Sequence, residues 1–336
     1  MGNAHTRNAH PSFIIVVIMQ VKKIETKLTT TTDTHKRPVS FGNFIGQEWL
    51  KKVLQTAIAS ANTTGNPLGH VLFSWQSWFG KTTLAWLISQ SIGGNLKIIT
   101  AYAINKPADM VSLLNSLAKN DILFIDELHR LKPAVEEVLY IAMEEYCIDM
   151  VMPDGGSIRL PLEPFTLVGA TTKSEALSVP LKNRFVYKFH LEPYSLQEKL
   201  RLLTYYLEQH HIQLETVALL EDMADHVVTV PREIVNFCLQ IKDYLIVHQD
   251  GNTEQFLLTR AIRQQFHTRR ALAKGGLSPL HQTYLWILEE HQGGPVGLRT
   301  LSIKLGIHEK AVEEDVEPLL FELGKIEKTT RGRMLR

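Results

Sequence analysis

Three short apolar runs, each closed by residues able to do chemistry, constrain this chain more than any other feature. Val71-Leu72-Phe73 leads into a segment ending Gly80-Lys81-Thr82, and Ile122-Leu123-Phe124-Ile125 ends in Asp126-Glu127. Phe165-Thr166-Leu167-Val168-Gly169-Ala170 ends in Thr171-Thr172. Runs this short and this apolar read as buried strands. Helical stretches separate them. Thr83-Leu84-Ala85-Trp86-Leu87-Ile88 follows the first, and Pro133 opens the next, where a missing N–H costs little. Val135, Val138, Leu139, Ala142 and Met143 then recur at the spacing of one helical face. Strands alternating with helices predict an α/β fold with a mainly parallel sheet and ligands at the carboxyl ends of its strands. Each polar cluster lies at such an end.

A chain of 336 residues exceeds one ordinary core. The α/β pattern spans 37–192, and after Pro193 strands disappear. Residues 193–267 read as a helical domain, with helices near 196–208, 217–226 and 232–247. Residues 268–276 carry adjacent glycines and read as a linker. The remainder, 277–336, reads as helix, helix, helix, hairpin, the order of a winged helix. Residues 1–36 are expected to be a disordered extension. Their apolar run at 13–19 is far shorter than the about 20 residues of a membrane span, so no membrane anchor is expected. The net charge of +1 says nothing about nucleic acid, so any DNA-binding charge is local. Cys147 and Cys238 form no CxxC pair, which argues against a disulfide scaffold or zinc site and fits a cytoplasmic protein.

The segment Trp75-Gln76-Ser77-Trp78-Phe79-Gly80-Lys81-Thr82 stands where a phosphate-binding loop belongs. Gly80 allows a tight turn, Lys81 can reach the β- and γ-phosphates, and the Thr82 hydroxyl can hold Mg²⁺. The helix that follows offers its N-terminal amides, Thr83 included, to phosphate. The pattern G-x-x-x-x-G-K-[ST] asks for glycine at position 75, where this chain has tryptophan. Gly-Lys-Thr alone is common by chance. Context decides: Asp126-Glu127 closes an apolar strand some 45 residues later. There Asp126 can act on a metal through water, and Glu127 can orient or activate an attacking water. The ligands expected are ATP and Mg²⁺.

The order and spacing of further segments make the resemblance specific. They are Arg37-Pro38, Ile45-Gly46-Gln47, Gly80-Lys81-Thr82-Thr83-Leu84-Ala85, Phe124 to Leu131, Gly169-Ala170-Thr171-Thr172 and Pro180-Leu181-Lys182-Asn183-Arg184-Phe185. Pro231-Arg232, Gly293-Gly294-Pro295-Val296-Gly297-Leu298 and Arg331-Gly332-Arg333 continue the series. Over about residues 37–335 the chain resembles the RuvB family, the AAA+ ATPases of Holliday-junction branch migration. The resemblance implies an AAA+ P-loop domain, an all-helical lid and a C-terminal winged helix acting on four-way double-stranded DNA as a homo-oligomeric ring, of six subunits in the family, with a RuvA-like partner. It places Arg37 and Ile45 by the adenine and ribose, with Tyr194 against the nucleotide from the lid. Thr172 falls at the turn that senses the γ-phosphate, Arg184 at the arginine finger and Arg232 at the lid sensor. The stretch 148–160 resembles the hairpin that docks RuvA through Ile148, Met150 and Met152; a plain core-facing hairpin is the competing reading. Lys328, Arg331 and Arg333 would contact DNA phosphates, against the alternative of a solvated basic tail.

The departures are as informative. The family has glycine at the positions of Trp75 and Trp78, where backbone amides approach phosphate closely enough to leave little room for a Cβ. Lys182 replaces an arginine, keeping charge but losing the bidentate fork, and Val186 replaces a glycine. Two readings follow: an ATP-driven motor with impaired turnover, or a non-hydrolysing relative that binds DNA or a RuvA-like protein. The winged helix and the Gly293 to Leu298 segment speak against a clamp loader.

Overall fold

The apolar runs become neighbouring strands of one parallel sheet. The computed structural model describes residues 38, 40–74, 79–151, 157–228, 230–248, 255–271 and 273–336. The expectations for residues 1–36, Arg37, Trp75, Trp78, Met152 and the Met150 side chain lie outside the described residues. Helix α1 (Glu48–Thr64) precedes β1 (Val71–Ser74), α2 (Lys81–Ile92), β2 (Leu96–Thr100), α3 (Pro107–Asn115), β3 (Ile122–Asp126) and α4 (Pro133–Glu145). A hairpin of β4 (Cys147–Val151) and β5 (Ser157–Pro161) follows, then β6 (Thr166–Thr171), α5 (Val179–Asn183) and β7 (Tyr187–His190). The sheet order is β2-β3-β6-β1-β7, every pair parallel. Register sets Ser74 beside Thr171 and His190. The polar residues closing β1, β3 and β6 therefore share one edge of the sheet. The flanking strands β2 and β7 escape an apolar-run criterion because Lys97 and Lys188 interrupt them.

Alternation along the strands supplies two cores. Phe73, Phe124 and Val168 pack with Leu50 and Leu54 of α1 and Leu84 and Ile88 of α2. One position earlier, Leu72, Leu123 and Leu167 pack with Met110 of α3 and Leu139 of α4 on the other face. Each such side chain contributes about 1.5–3 kcal/mol when fully buried. His70 staples the second face: its Nε2 lies 2.9 Å from the Met143 carbonyl, and its Nδ1 accepts from the Leu167 amide at 2.9 Å. An Nδ1 that accepts must be unprotonated, so this imidazole is neutral, and burial holds its pKa below the ordinary histidine value.

The next stretch runs α6 (Leu196–Gln209), β8 (Ile212–Leu214), α7 (Ala218–Asp225), α8 (Pro231–His248), β9 (Phe256–Leu258) and α9 (Arg260–Arg270). Ser195 and Glu198 form a reciprocal capping box at the start of α6. Leu203, Ile234, Phe237 and Phe266 join the core under α1 and α2. The expectation that strands disappear after Pro193 is corrected: β8 and β9 pair in parallel, with Phe256 and Leu258 buried around exposed Leu257. Three residues are too few for alternation to show in a sequence.

The C-terminal part comprises α10 (Pro279–Glu290), α11 (Leu298–Leu305), α12 (Glu309–Ala311), α13 (Glu317–Glu322), β10 (Ile326–Thr329) and β11 (Gly332–Leu335) around Tyr284, Leu288, Leu301, Val312 and Leu320. The expected third helix is split by a π turn at Val312–Val316. Pro318 has no N–H to return to the Glu314 carbonyl, so a regular α-helix cannot run through. Cys147 and Cys238 are free and buried. Among the described residues, no helix is long and apolar enough to cross a membrane.

Candidate nucleotide site and nucleic-acid interface

The carboxyl edge of the sheet gathers the predicted chemistry. Gly80 caps α2 at φ 86°, and a Cβ there would sit 3.1 Å from the Phe44 ring, so only glycine fits both the turn and the space. Lys81, the first residue of α2, is buried, with Thr82 and Thr83 half-buried beside it. Burial pushes its ammonium below the ordinary lysine range, while Asp126 and Glu127 pull it back up. Glu127 adopts a left-handed conformation, φ 52°, immediately after β3, at a cost of roughly 1–2 kcal/mol for a non-glycine residue. That turn lets its amide donate to Asp126 Oδ1 at 3.0 Å. Its carboxylate is held from the neighbouring strand end, where the Thr172 hydroxyl donates to Oε2 at 3.1 Å. His129 Nδ1 lies 3.2 Å from the same oxygen and 2.9 Å from Thr171 Oγ1. Sequence reasoning missed His129, although its place two residues after Glu127 was on view.

These groups suit a magnesium–nucleotide complex. A threonine hydroxyl and a carboxylate are hard oxygen donors of the kind Mg²⁺ takes with phosphate. A helix N-terminus led by a buried ammonium suits a polyanion. On the base side, the Tyr194 hydroxyl donates to the Ile45 carbonyl at 2.6 Å, joining the two residues predicted there. Gly46 permits that approach, since a Cβ would fall 2.9 Å from the Tyr194 ring. Next to it opens a groove of about 400 Å³ lined by Gly42, Asn43 and Ile45 and by Leu200, Thr204 and Tyr205 of α6. Arg232 is exposed in the first turn of α8. Arg184 caps α5 and pairs with Glu144 of α4.

Two expectations are corrected at the outer surfaces. Arg333 does not face solvent: its Nε donates to Glu317 Oε1 at 2.7 Å and its Nη2 to Glu313 Oε1 at 2.7 Å, and it is buried. Tyr284 donates to the same Glu317 oxygen at 3.0 Å. Lys328 and Arg331 are exposed as expected, although Lys328 lies 3.5 Å from Glu313. In the hairpin, Ile148 is buried against the core rather than offered to a partner. Among the described residues, the exposed apolar side chains there are Ile158 and Leu160 of β5. Their alternation around Arg159 was the signal available in the sequence.

Comparison with known proteins bears directly on this arrangement. Residues 36–191 match the Holliday junction DNA helicase RuvB P-loop domain, and residues 274–336 match the RuvB C-terminal winged helix domain. A point-mutant form of Thermotoga maritima RuvB is 34% identical, with TM-score 0.76, over 90% of this chain and 96% of its own. The T. maritima RuvB Holliday junction branch migration motor is also 34% identical, with TM-score 0.75, over 89% of this chain and 95% of its own.

The chain belongs to the RuvB family.

RuvB architecture accounts for the layout described above: a parallel-sheet P-loop region, a helical region and a C-terminal winged helix. The family includes the T. maritima Holliday junction branch migration motor. The Lys81 cluster lies within the matched P-loop region, and Lys328 and Arg331 lie within the matched winged helix.

Proposed function

We propose that this chain is an ATP-dependent motor subunit that drives branch migration of four-way DNA junctions, with turnover slowed by Trp75 and Trp78. The observation that carries the reading is the buried Lys81 flanked by Asp126 and Glu127, with Thr172 fixing Glu127. Burying an ammonium costs several kcal/mol, and a triphosphate gives that cost a use. Lys81 holds the β- and γ-phosphates, and the first-turn amides of α2, Thr83 included, hold the remaining oxygens. Thr82 and Asp126 would hold Mg²⁺, which when bound offsets the charge of the phosphates. Glu127, held by Thr172, orients the attacking water and takes its proton. Arg37, Ile45 and Tyr194 enclose the base and ribose, and Arg232 senses the nucleotide from the lid. Arg184 leaves Glu144 to reach a neighbouring subunit's phosphate, which makes a homo-oligomeric ring, a hexamer, the working form.

The proposed domains are 37–192, 193–267 and 277–336, in a cytoplasmic protein. Lys328 and Arg331 contact DNA phosphates. The hairpin meets a RuvA-like partner through its apolar residues, Met150 and Met152 together with Ile158 and Leu160.

The tryptophans at two glycine positions favour a second reading, a non-hydrolysing relative that binds junctions or a RuvA-like protein. Strand exchange of a labelled four-way junction, with a RuvA-family protein, ATP and Mg²⁺, separates the two. ATP-dependent migration abolished by Lys81→Ala supports the motor. Binding of the junction or of the RuvA-family protein without migration supports the second reading, and binding of neither overturns both.

A further inference from the structure

One stretch of this chain is free of carboxylates in a way its composition does not predict. From Gln255 to Leu288 there is no Asp or Glu, yet five Arg and Lys residues occur there. With 35 acidic residues in 336, a stretch this long would carry about three or four. The segment covers α9, the turn after it and most of α10.

Some of these cations are spoken for. Arg263 pairs with Asp222 and donates to His226, and Arg270 lies over the Phe237 and Phe266 rings. A helix C-terminus favours a cation or two, which accounts for part of the rest. It does not account for Lys274, which lies beyond the helix.

Arg269 and Lys274 are exposed and held in place. The Arg269 guanidinium lies 5.4 Å from the Tyr244 ring centroid and donates to His248 Nε2 at 3.3 Å. Lys274 sits in a turn pinned by the Ala273 amide on Leu277 and the Gly275 amide on Asp225. That turn abuts the winged helix: a Cβ on Gly275 would fall 2.8 Å from Leu323 Cδ1. Two residues on, Lys325 begins the wing, and its carbonyl accepts the Arg336 amide at 3.1 Å. Lys325 and Arg336 are also exposed. Asp225 and Glu322, two carboxylates near this turn, act on Lys199.

Resting on the reading that this chain holds duplex DNA, we infer that Arg269 and Lys274, together with Lys325 and Arg336, form a second phosphate-binding surface where the helical region meets the winged helix. It grips the duplex backbone beside the wing and carries no base specificity. Lys274 and Lys325 flank the Gly275–Leu323 contact, Arg336 is bonded to the Lys325 carbonyl, and Arg269 lies five residues before Lys274; exposed cations of this kind suit sequence-independent contact with DNA phosphates.

The test is the salt dependence of binding, by the full chain, of a labelled linear duplex and a labelled four-way junction. The double variant Arg269→Ala/Lys274→Ala should lower the slope of log K against log salt by ~1–2 and weaken binding roughly tenfold at low salt. Lys274→Glu, in an exposed turn, should weaken it further than Lys274→Ala. Arg260→Ala removes one charge, as Arg269→Ala alone would, from the opposite side of α9, nine residues being about half a turn out of phase, and should change nothing. A slope unchanged in the double variant, while Lys328→Ala/Arg331→Ala lowers it, overturns this surface and leaves the wing contact standing. Failure of the unaltered chain to bind either DNA overturns both this surface and the reading beneath it.

Discussion

Glu127 carries the most informative backbone conformation in the molecule. A left-handed glutamate at a strand end is strained, and the strain aims a carboxylate that Thr172 then fixes. Glu127→Gln keeps the side chain's size and its bond to Thr172 but removes the base. It should leave Mg²⁺-nucleotide affinity unchanged and lower kcat by ~10²–10⁴, read by phosphate release against equilibrium binding. Thr172→Val should give a smaller loss of the same kind. Much at this scale was legible beforehand: Lys81, Thr82, Asp126 and Thr172 converge because strand ends of one parallel sheet must share an edge. Arg333 was not legible. Its charge pointed to phosphate, while its partners Glu313 and Glu317 lie on another element, and sequence spacing does not say which charges meet.

At the level of elements, that buried arginine makes a prediction for the winged helix. Glu317 is buried between Tyr284 and Arg333, so Arg333→Ala leaves an uncompensated carboxylate. The variant should lose about 3–5 kcal/mol of stability, seen as a lowered Tm in calorimetry, and an unchanged Tm would contradict the network. The helical region makes a second prediction, in pH. Both ring nitrogens of His267 are buried without a hydrogen-bond partner among the described residues. Burial, then Arg263, His226 and Arg270, hold its pKa at about 4, against the pull of Asp222. The unfolded chain takes up that proton near pH 6.5, so the folded state is favoured above 6.5 and loses this advantage as pH falls toward 4. His267→Leu should therefore flatten the acid-side fall of Tm relative to the unaltered chain. His70 contributes with the same sign, so the comparison is with the variant and not with a flat line. Among the elements that evaded the sequence, β2, β7, β8, β9 and the π turn are each set by a partner strand or by one proline rather than by a periodic pattern.

At the scale of the whole molecule, the apolar side chains of the described residues divide into three cores, one on each face of the sheet and one in the winged helix, with the helical region continuous with the first. The succession of these parts was legible from the loss of strands and the late basic hairpin, because each core needs its own run of periodic elements. Assembly was not, because an arginine at a helix end reads the same whether it pairs within the chain or across subunits. Here Arg184 pairs with Glu144 within the subunit. In a ring, Arg184→Ala should bind nucleotide normally and lose at least ~10² in turnover. Mixing it with Lys81→Ala subunits should restore activity at about one interface in four, because each variant supplies what the other lacks.

The most direct measurement is a titration of the full chain with a non-hydrolysable ATP analogue, with and without Mg²⁺, beside the variant Trp75→Gly/Trp78→Gly. Saturable, Mg²⁺-dependent binding to the unaltered chain is expected, abolished by Lys81→Ala and tightened at least ~tenfold when the glycines are restored. Absence of binding in both the unaltered and the glycine-restored chain would show that Lys81, Asp126 and Glu127 do not meet around a nucleotide.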